Sequence, residues 1–200
     1  MRWIVVDGID GSGKTTFANW IKEYYELLGE STAIFVHPST RFFGRISRTA
    51  LRGSGKLMKT VAGTFFILDV LGSLRKMGRI VGRHENVVFV RYLMATAYLP
   101  ARLARLGYDF FAALLPVPDR LILVDIEPVT AHMRISKRRE EREMFETVPD
   151  LTRIRRKMLA IADESWTIID NSGSGVESKR SLIETLARWD SQRRGPSAKD

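Results

Sequence analysis

Gly8-Ile9-Asp10-Gly11-Ser12-Gly13-Lys14-Thr15 is a complete G-x-x-x-x-G-K-[ST] sequence, and its residue types are those that hold a polyphosphate. Its glycines accept positive φ, so successive backbone N–H groups can turn toward one anion without Cβ clashes. Lys14 reaches the β and γ phosphates, and Thr15 offers a hydroxyl to Mg2+. Asp10, Gly11, Ser12, Gly13 and Thr16 complete the set of loop residues expected around a nucleoside triphosphate. A glycine-rich connection that matches by chance is the competing explanation. The flanking chain argues against it, because the motif needs a strand before it and a helix after it.

Both are legible. Trp3-Ile4-Val5-Val6 ends in Asp7 and has the continuous apolar character of a strand buried on both faces. Phe17, Ile21, Tyr24, Tyr25 and Leu28 then recur at helical spacing until Gly29. Four more apolar runs read as strands: residues 32–36, 86–90, 121–125 and 166–170. Helices are expected between them: one after His37-Pro38-Ser39-Thr40 broken by Gly53-Ser54-Gly55, one over about 57–83, and one ending near Gly107. Others are expected after Pro128, before Trp166, and over 176–189. Strands alternating with helices demand crossover connections, which predicts a three-layer α/β/α P-loop NTPase fold with a five-stranded parallel sheet. Ligands bind such sheets at the carboxyl ends of the strands, which should gather Asp7, His37, Arg91, Asp125 and Asn171.

The length of 200 residues suits a single domain, expected over 1–190, with residues 191–200 as a flexible polar tail. There is no cysteine, so disulfides and thiolate metal sites are excluded and a reducing cytosol is compatible. The N-terminal apolar run is too short for a signal peptide. Asp69, Pro116 and Pro118 interrupt the longer apolar stretches, so no membrane span and a cytoplasmic location are expected. The three histidines are far apart and lack metal-ligand spacing. A net charge of +9 asks for anionic partners. The basic residues cluster at Arg41, Arg45, Arg48, Arg52, Lys56 and Lys59, at Arg134, Lys137, Arg138, Arg139 and Arg142, and at Arg153, Arg155, Arg156 and Lys157. The last cluster reads as a solvated helix face.

The phosphate loop with its Asp10, Val87-Val88-Phe89-Val90-Arg91-Tyr92, and Arg134-Ile135-Ser136-Lys137-Arg138-Arg139-Glu140 together resemble the thymidylate kinase family, over about residues 2–189. The resemblance implies transfer of the γ-phosphoryl of ATP to a nucleoside monophosphate, with Mg2+ bridging the phosphates, and commonly a homodimer. It implies roles as well. Arg138, Arg139 and Arg142 would belong to a lid near 136–146 that closes over the moving phosphoryl, Arg91 would hold the acceptor phosphate and Asp10 its sugar, and Phe66 would stack on its base. Pro38 and Tyr98 would line the acceptor, and Asn171 and Ser172 would lie beside the adenine. The apolar segment from Phe65 to Leu74 could supply a dimer contact or simply fill the core.

Four positions depart from the family pattern. Val90 stands where an Asp is expected, Val70 where an Arg is expected, and Val36-His37 where Arg-Glu is expected; Tyr98 lacks the glutamine that usually follows. Metal binding would then rest on Thr15 with Asp7 or Asp125, and Arg41, Arg45 or Arg48 could replace the missing Arg. Two other readings stay open: a catalytically weak ATP-binding regulator, and a basic P-loop protein that binds nucleic acid through the 41–59 run.

Overall fold

The computed structural model describes residues 1–53, 55–80, 82–137 and 145–194. Its frame is a sheet of strands β1 (Arg2–Asp7), β2 (Thr32–Val36), β3 (Asn86–Val90), β4 (Arg120–Asp125) and β5 (Trp166–Asp170). The strands run in the order β2-β3-β1-β4-β5, and every pairing is parallel. The helices are α1 (Lys14–Leu27), α2 (Phe42–Leu51), α3 (Gly55–Ile80), α4 (Ala101–Leu114), α5 (Pro128–Ser136), α6 (Val148–Ile161) and α7 (Gly175–Arg194), with a 3₁₀ turn at Met94–Tyr98.

Side chains alternate across the sheet and divide the core in two. Val5, Val87, Phe89, Leu121 and Leu123 face one cluster, with Val70 of α3, Ala104 and Tyr108 of α4, and Leu151, Ile154 and Met158 of α6. Ile4, Val6, Val88, Val90, Ile122 and Val124 face the other, with Phe17, Ala18 and Ile21 of α1 and Leu182 and Leu186 of α7. The expected three-layer arrangement is thereby obtained. The chain reverses direction of winding at β1, which lies between β3 and β4, so the loop after β1 opens at the crevice where open α/β sheets bind ligands.

Several boundaries differ from expectation. The helix expected to stop near Gly107 continues to Leu114. A Cβ at Gly107 would stand 3.0 Å from Leu99 Cδ1 and close to Thr96, so this glycine lets α4 approach the 3₁₀ turn instead of ending a helix. The last helix runs on to Arg194, past the expected start of the tail, and residues 195–200 lie outside the described residues. One reason is Asp190: Arg2 Nε and Arg120 Nη1 each donate to its Oδ1 at 3.0 Å, which anchors the end of α7 to β1 and β4. Finally, α3 over Leu57–Ile80 is long and apolar enough, by length and composition, to cross a membrane, with 22% of its most apolar window buried. Asp69 lies within this helix, and its carboxylate is buried against the loop that precedes α2.

Candidate active site

The phosphate loop leaves β1 and enters α1 without a side-chain cap, so the first-turn amides of a 14-residue helix point into the loop. Gly11 sits at φ 79°, where a Cβ would come within 2.5 Å of the Ala131 carbonyl of α5. Gly13 sits at φ 92°, with the Asn171 amide 2.7 Å from where a Cβ would be. Only residues without a side chain allow this cradle. Inside it, Ser12 is fully buried, and its Oγ has no hydrogen-bond partner among the described residues. A buried orphan hydroxyl and a helix start lacking a cap fit the phosphates of a nucleotide. Lys14 is buried beneath, with Nζ donating to the Ile9 carbonyl at 2.6 Å. Thr15 and Thr16 are exposed at the helix start.

Asp10 joins this loop to the rest of the site. Its carboxylate is buried and ion-paired to Arg91, accepts from Tyr98 Oη at 2.8 Å, and lies 3.8 Å from Lys14 Nζ. Thus Asp10, Lys14, Arg91 and Tyr98 lie together. Tyr98 also packs its ring edge against Phe145, 5.3 Å between centroids. Phe66 of α3 lies on the same side, lining an apolar cleft with Gly63, Val70, Tyr92, Thr96 and Leu99. Pro38 is buried, follows a cis peptide, and gives its carbonyl to Arg48 Nη2 at 2.8 Å.

Other expected residues make hydrogen bonds within the protein. Both oxygens of Asp7 accept from the Tyr92 amide, at 3.2 and 3.1 Å, and Oδ2 also accepts from the Met94 amide at 3.2 Å. Complete burial pushes the Asp7 carboxyl above its ordinary range, against the pull of those amides and of Lys14 and Arg91. Asp125 holds Arg155 with two hydrogen bonds of 2.8 Å, and Glu127 adds a third at 3.0 Å. Arg155 is therefore no solvated residue, contrary to the reading of its cluster. Asn171 Nδ2 donates to the Ser12 carbonyl at 2.8 Å, fastening the phosphate loop to β5. Ser172 Oγ donates to Asp170 at 2.6 Å and accepts from the Glu127 amide at 2.9 Å. That bond from Ser172 holds the Asp170 carboxyl below the usual carboxylate range. The lid candidates Arg138, Arg139 and Arg142 lie outside the described residues.

The sequence reading missed a polar cluster between β2, α2 and α3. Asp69 accepts from the Ser39 amide at 2.7 Å, the Ser39 hydroxyl at 2.6 Å and Arg41 Nη2 at 3.0 Å. Arg41 also donates to Ser73, and Ser73 Oγ lies 2.7 Å from His37 Nε2. The signal was present as Asp69 and Ser73, polar residues four apart within the apolar stretch from Phe65 to Leu74. At the departures from the family pattern, Val90 is 1% exposed between the sheet and α1, and Val70 is 3% exposed within the opposite core.

Comparison with known proteins gives concordant results. The family described as thymidylate kinase matches residues 6–183. The chain is 31% identical over 199 residues to a probable thymidylate kinase of Archaeoglobus fulgidus, covering 92% of this chain and 95% of that one. It is 29% identical over 180 residues to a thymidylate kinase of Leptospira interrogans, covering 85% and 86%. In fold it resembles the solved thymidylate kinase of Candida albicans, with a TM-score of 0.73 over 94% of this chain and 92% of that one at 17% identity.

Proposed function

The chain belongs to the thymidylate kinase family, and from that premise we propose that it transfers the γ-phosphoryl of ATP to dTMP, giving dTDP and ADP. The observation that carries this is Asp10, a residue of the phosphate loop held by Arg91 and Tyr98, which ties the donor loop to the acceptor cation. The readings as a regulator without turnover and as a nucleic-acid-binding protein are not favoured.

Phosphoryl transfer needs alignment and charge stabilisation more than a protein nucleophile. In this reading an oxygen of the acceptor phosphate bonds to the γ-phosphorus as the bond from that phosphorus to the β–γ bridging oxygen breaks, and ADP carries the electron pair away. The loop amides and Lys14 hold the donor phosphates, Arg91 holds the acceptor phosphate, and Asp10 and Tyr98 fix Arg91 and meet the sugar. Phe66 and the apolar cleft beside it offer a face for the base. Mg2+ would neutralise charge between the phosphates, with Thr15 as the hydroxyl that holds it. Asp7, with both oxygens occupied by backbone amides, supports the site by fixing the turn after β3. Asn171 shapes the adenine side through the phosphate loop it braces, and Ser172 through its bonds to Asp170 and the Glu127 amide. Arg138, Arg139 and Arg142 supply the cations of the lid.

For the Arg missing at Val70, Arg41 is ion-paired to Asp69 and Arg48 is bonded to Pro38. Arg45, exposed on α2 and with no ion pair among the described residues, is the cation left for an anionic substrate. A homodimer built on α3 belongs to the same proposal. Leu57, Val61, Thr64, Leu68 and Leu71 fall at alternating steps of four and three, the spacing of a seam between helices, and all three leucines are exposed. A cytoplasmic location follows from the family.

A coupled assay of ATP turnover across the deoxynucleoside and nucleoside monophosphates tests the reading. Turnover stimulated by dTMP is expected. Absence of stimulation by any monophosphate would overturn it.

A further inference from the structure

We propose that His37 is a positioning residue for Arg91: its ring, held by Ser73, hydrogen-bonds the Arg91 carbonyl and keeps that residue in the backbone conformation that aims its guanidinium at Asp10. This rests on the reading of Arg91 as the acceptor cation.

Arg91 has φ 62°, the left-handed region that side chains other than glycine rarely adopt. A residue stays there when its surroundings hold it there. On the N-terminal side its amide donates to the Val6 carbonyl at 3.1 Å. Beyond it, Asp7 takes the amides of Tyr92 and Met94. The Arg91 carbonyl is held by His37, whose Nδ1 lies 3.0 Å away, and 3.3 Å from the Val90 carbonyl.

Chemistry sets the direction of every bond in this chain. Two carbonyls can only accept, so Nδ1 carries the proton. The Nε2 of a neutral ring then accepts, and Ser73 Oγ donates to it at 2.7 Å. The same Ser73 oxygen accepts from Arg41, which is anchored on Asp69. Donors and acceptors match from Arg41 to Arg91 without conflict. His37 is 1% exposed, so water cannot substitute for these partners. Burial lowers the affinity of the ring for a second proton, and Arg41 acts in the same direction, while Asp69 and the two carbonyls oppose them.

His37→Leu and His37→Asn in the full chain test this. Leucine removes the hydrogen bonds of both ring nitrogens, whereas the asparagine amide can stand where Nδ1 donates. The expected result for His37→Leu is an acceptor KM raised on the order of tenfold or more, as displaced catalytic geometry produces, with the ATP KM changed less than about twofold. His37→Asn should recover most of the loss. A parallel rise in both KM values, or no rescue by asparagine, would overturn the proposal.

A crystal structure of His37→Leu gives an answer independent of turnover. Arg91 should leave positive φ and release Asp10. Arg91 unmoved would overturn the proposal even if the acceptor KM changed. If the wild-type protein shows no monophosphate-dependent turnover, the kinase reading fails while this structure still decides the role of His37. Should the leucine variant not fold, Ser73→Ala removes the bond to Nε2 and the one Ser73 accepts from Arg41, and leaves Nδ1 in place. It should shift the same Arg91 geometry in part, and an unchanged Arg91 would count against the proposal.

Discussion

Lys14 is held under the phosphate loop by the Ile9 carbonyl, with Asp10 nearby, so its charge is already in place before a nucleotide arrives. Removing a cation placed in this way costs about 10²–10³ in rate. Lys14→Ala is therefore expected to lower kcat by at least that factor, which single-turnover kinetics will register, while circular dichroism stays unchanged. His37 makes a different prediction, about stability. Its folded pKa lies below the ordinary 6.5, because burial and Arg41 outweigh Asp69 and the two carbonyls. The neutral ring thus contributes stability that is complete above about pH 6.5, and this is lost as pH falls toward the folded value, where the unfolded chain takes up the proton first. Thermal melts between pH 5 and 8 should show a steeper acid decline for the wild type than for His37→Asn. Equal slopes would show that His37 is not the titrating group.

Among the elements, the phosphate loop and α5 are locked by close approach. Gly11→Ala would place a methyl 2.5 Å from a helix carbonyl in a left-handed backbone. The strain alone is about 1–3 kcal/mol, so the variant should melt lower and bind ATP more weakly, as calorimetry would record. Gly13→Ala brings the same left-handed strain and displaces the Asn171 amide that holds the Ser12 carbonyl, so it too should melt lower. The exposed seam on α3 carries its own test. Leu68→Asp with Leu71→Asp should shift sedimentation from dimer to monomer while the melt of the domain stays near wild type. A wild-type protein that sediments as a monomer would remove the seam as a dimer contact.

Across the domain, the sheet is clamped at the end opposite the phosphate loop. Asp190 of α7 receives Arg2 of β1 and Arg120 of β4, with Tyr25 of α1 3.4 Å away, so four elements converge on one carboxylate. The Asp190 neighbourhood pushes the Tyr25 hydroxyl well above its ordinary value, through burial first and the Asp190 charge second. Taking away one partner of a buried ionic cluster leaves the others uncompensated, at a cost of about 3–5 kcal/mol. Asp190→Ala should lose that much stability in urea titration with little effect on ATP KM, since the cluster is remote from the loop.

Local patterns were enough for the frame. Apolar runs of strand length, helical periodicity and the glycine-lysine motif specify strands, helices and a phosphate site through interactions within a few residues, and the parallel sheet follows from their alternation. The Asp10, Arg91 and Tyr98 grouping came from resemblance, since nothing local brings residues 10, 91 and 98 together. Gly107 reads as a helix stop because a stop and a close packing contact leave the same mark in a sequence. The use of Asp7, Asp125 and Asn171 as braces, and the chain from Arg41 through Ser73 and His37 to Arg91, were settled by partners 30 to 160 residues distant. A carboxylate or an imidazole reads the same in any sequence. Which hydrogen bonds it makes depends on what the folded chain packs against it.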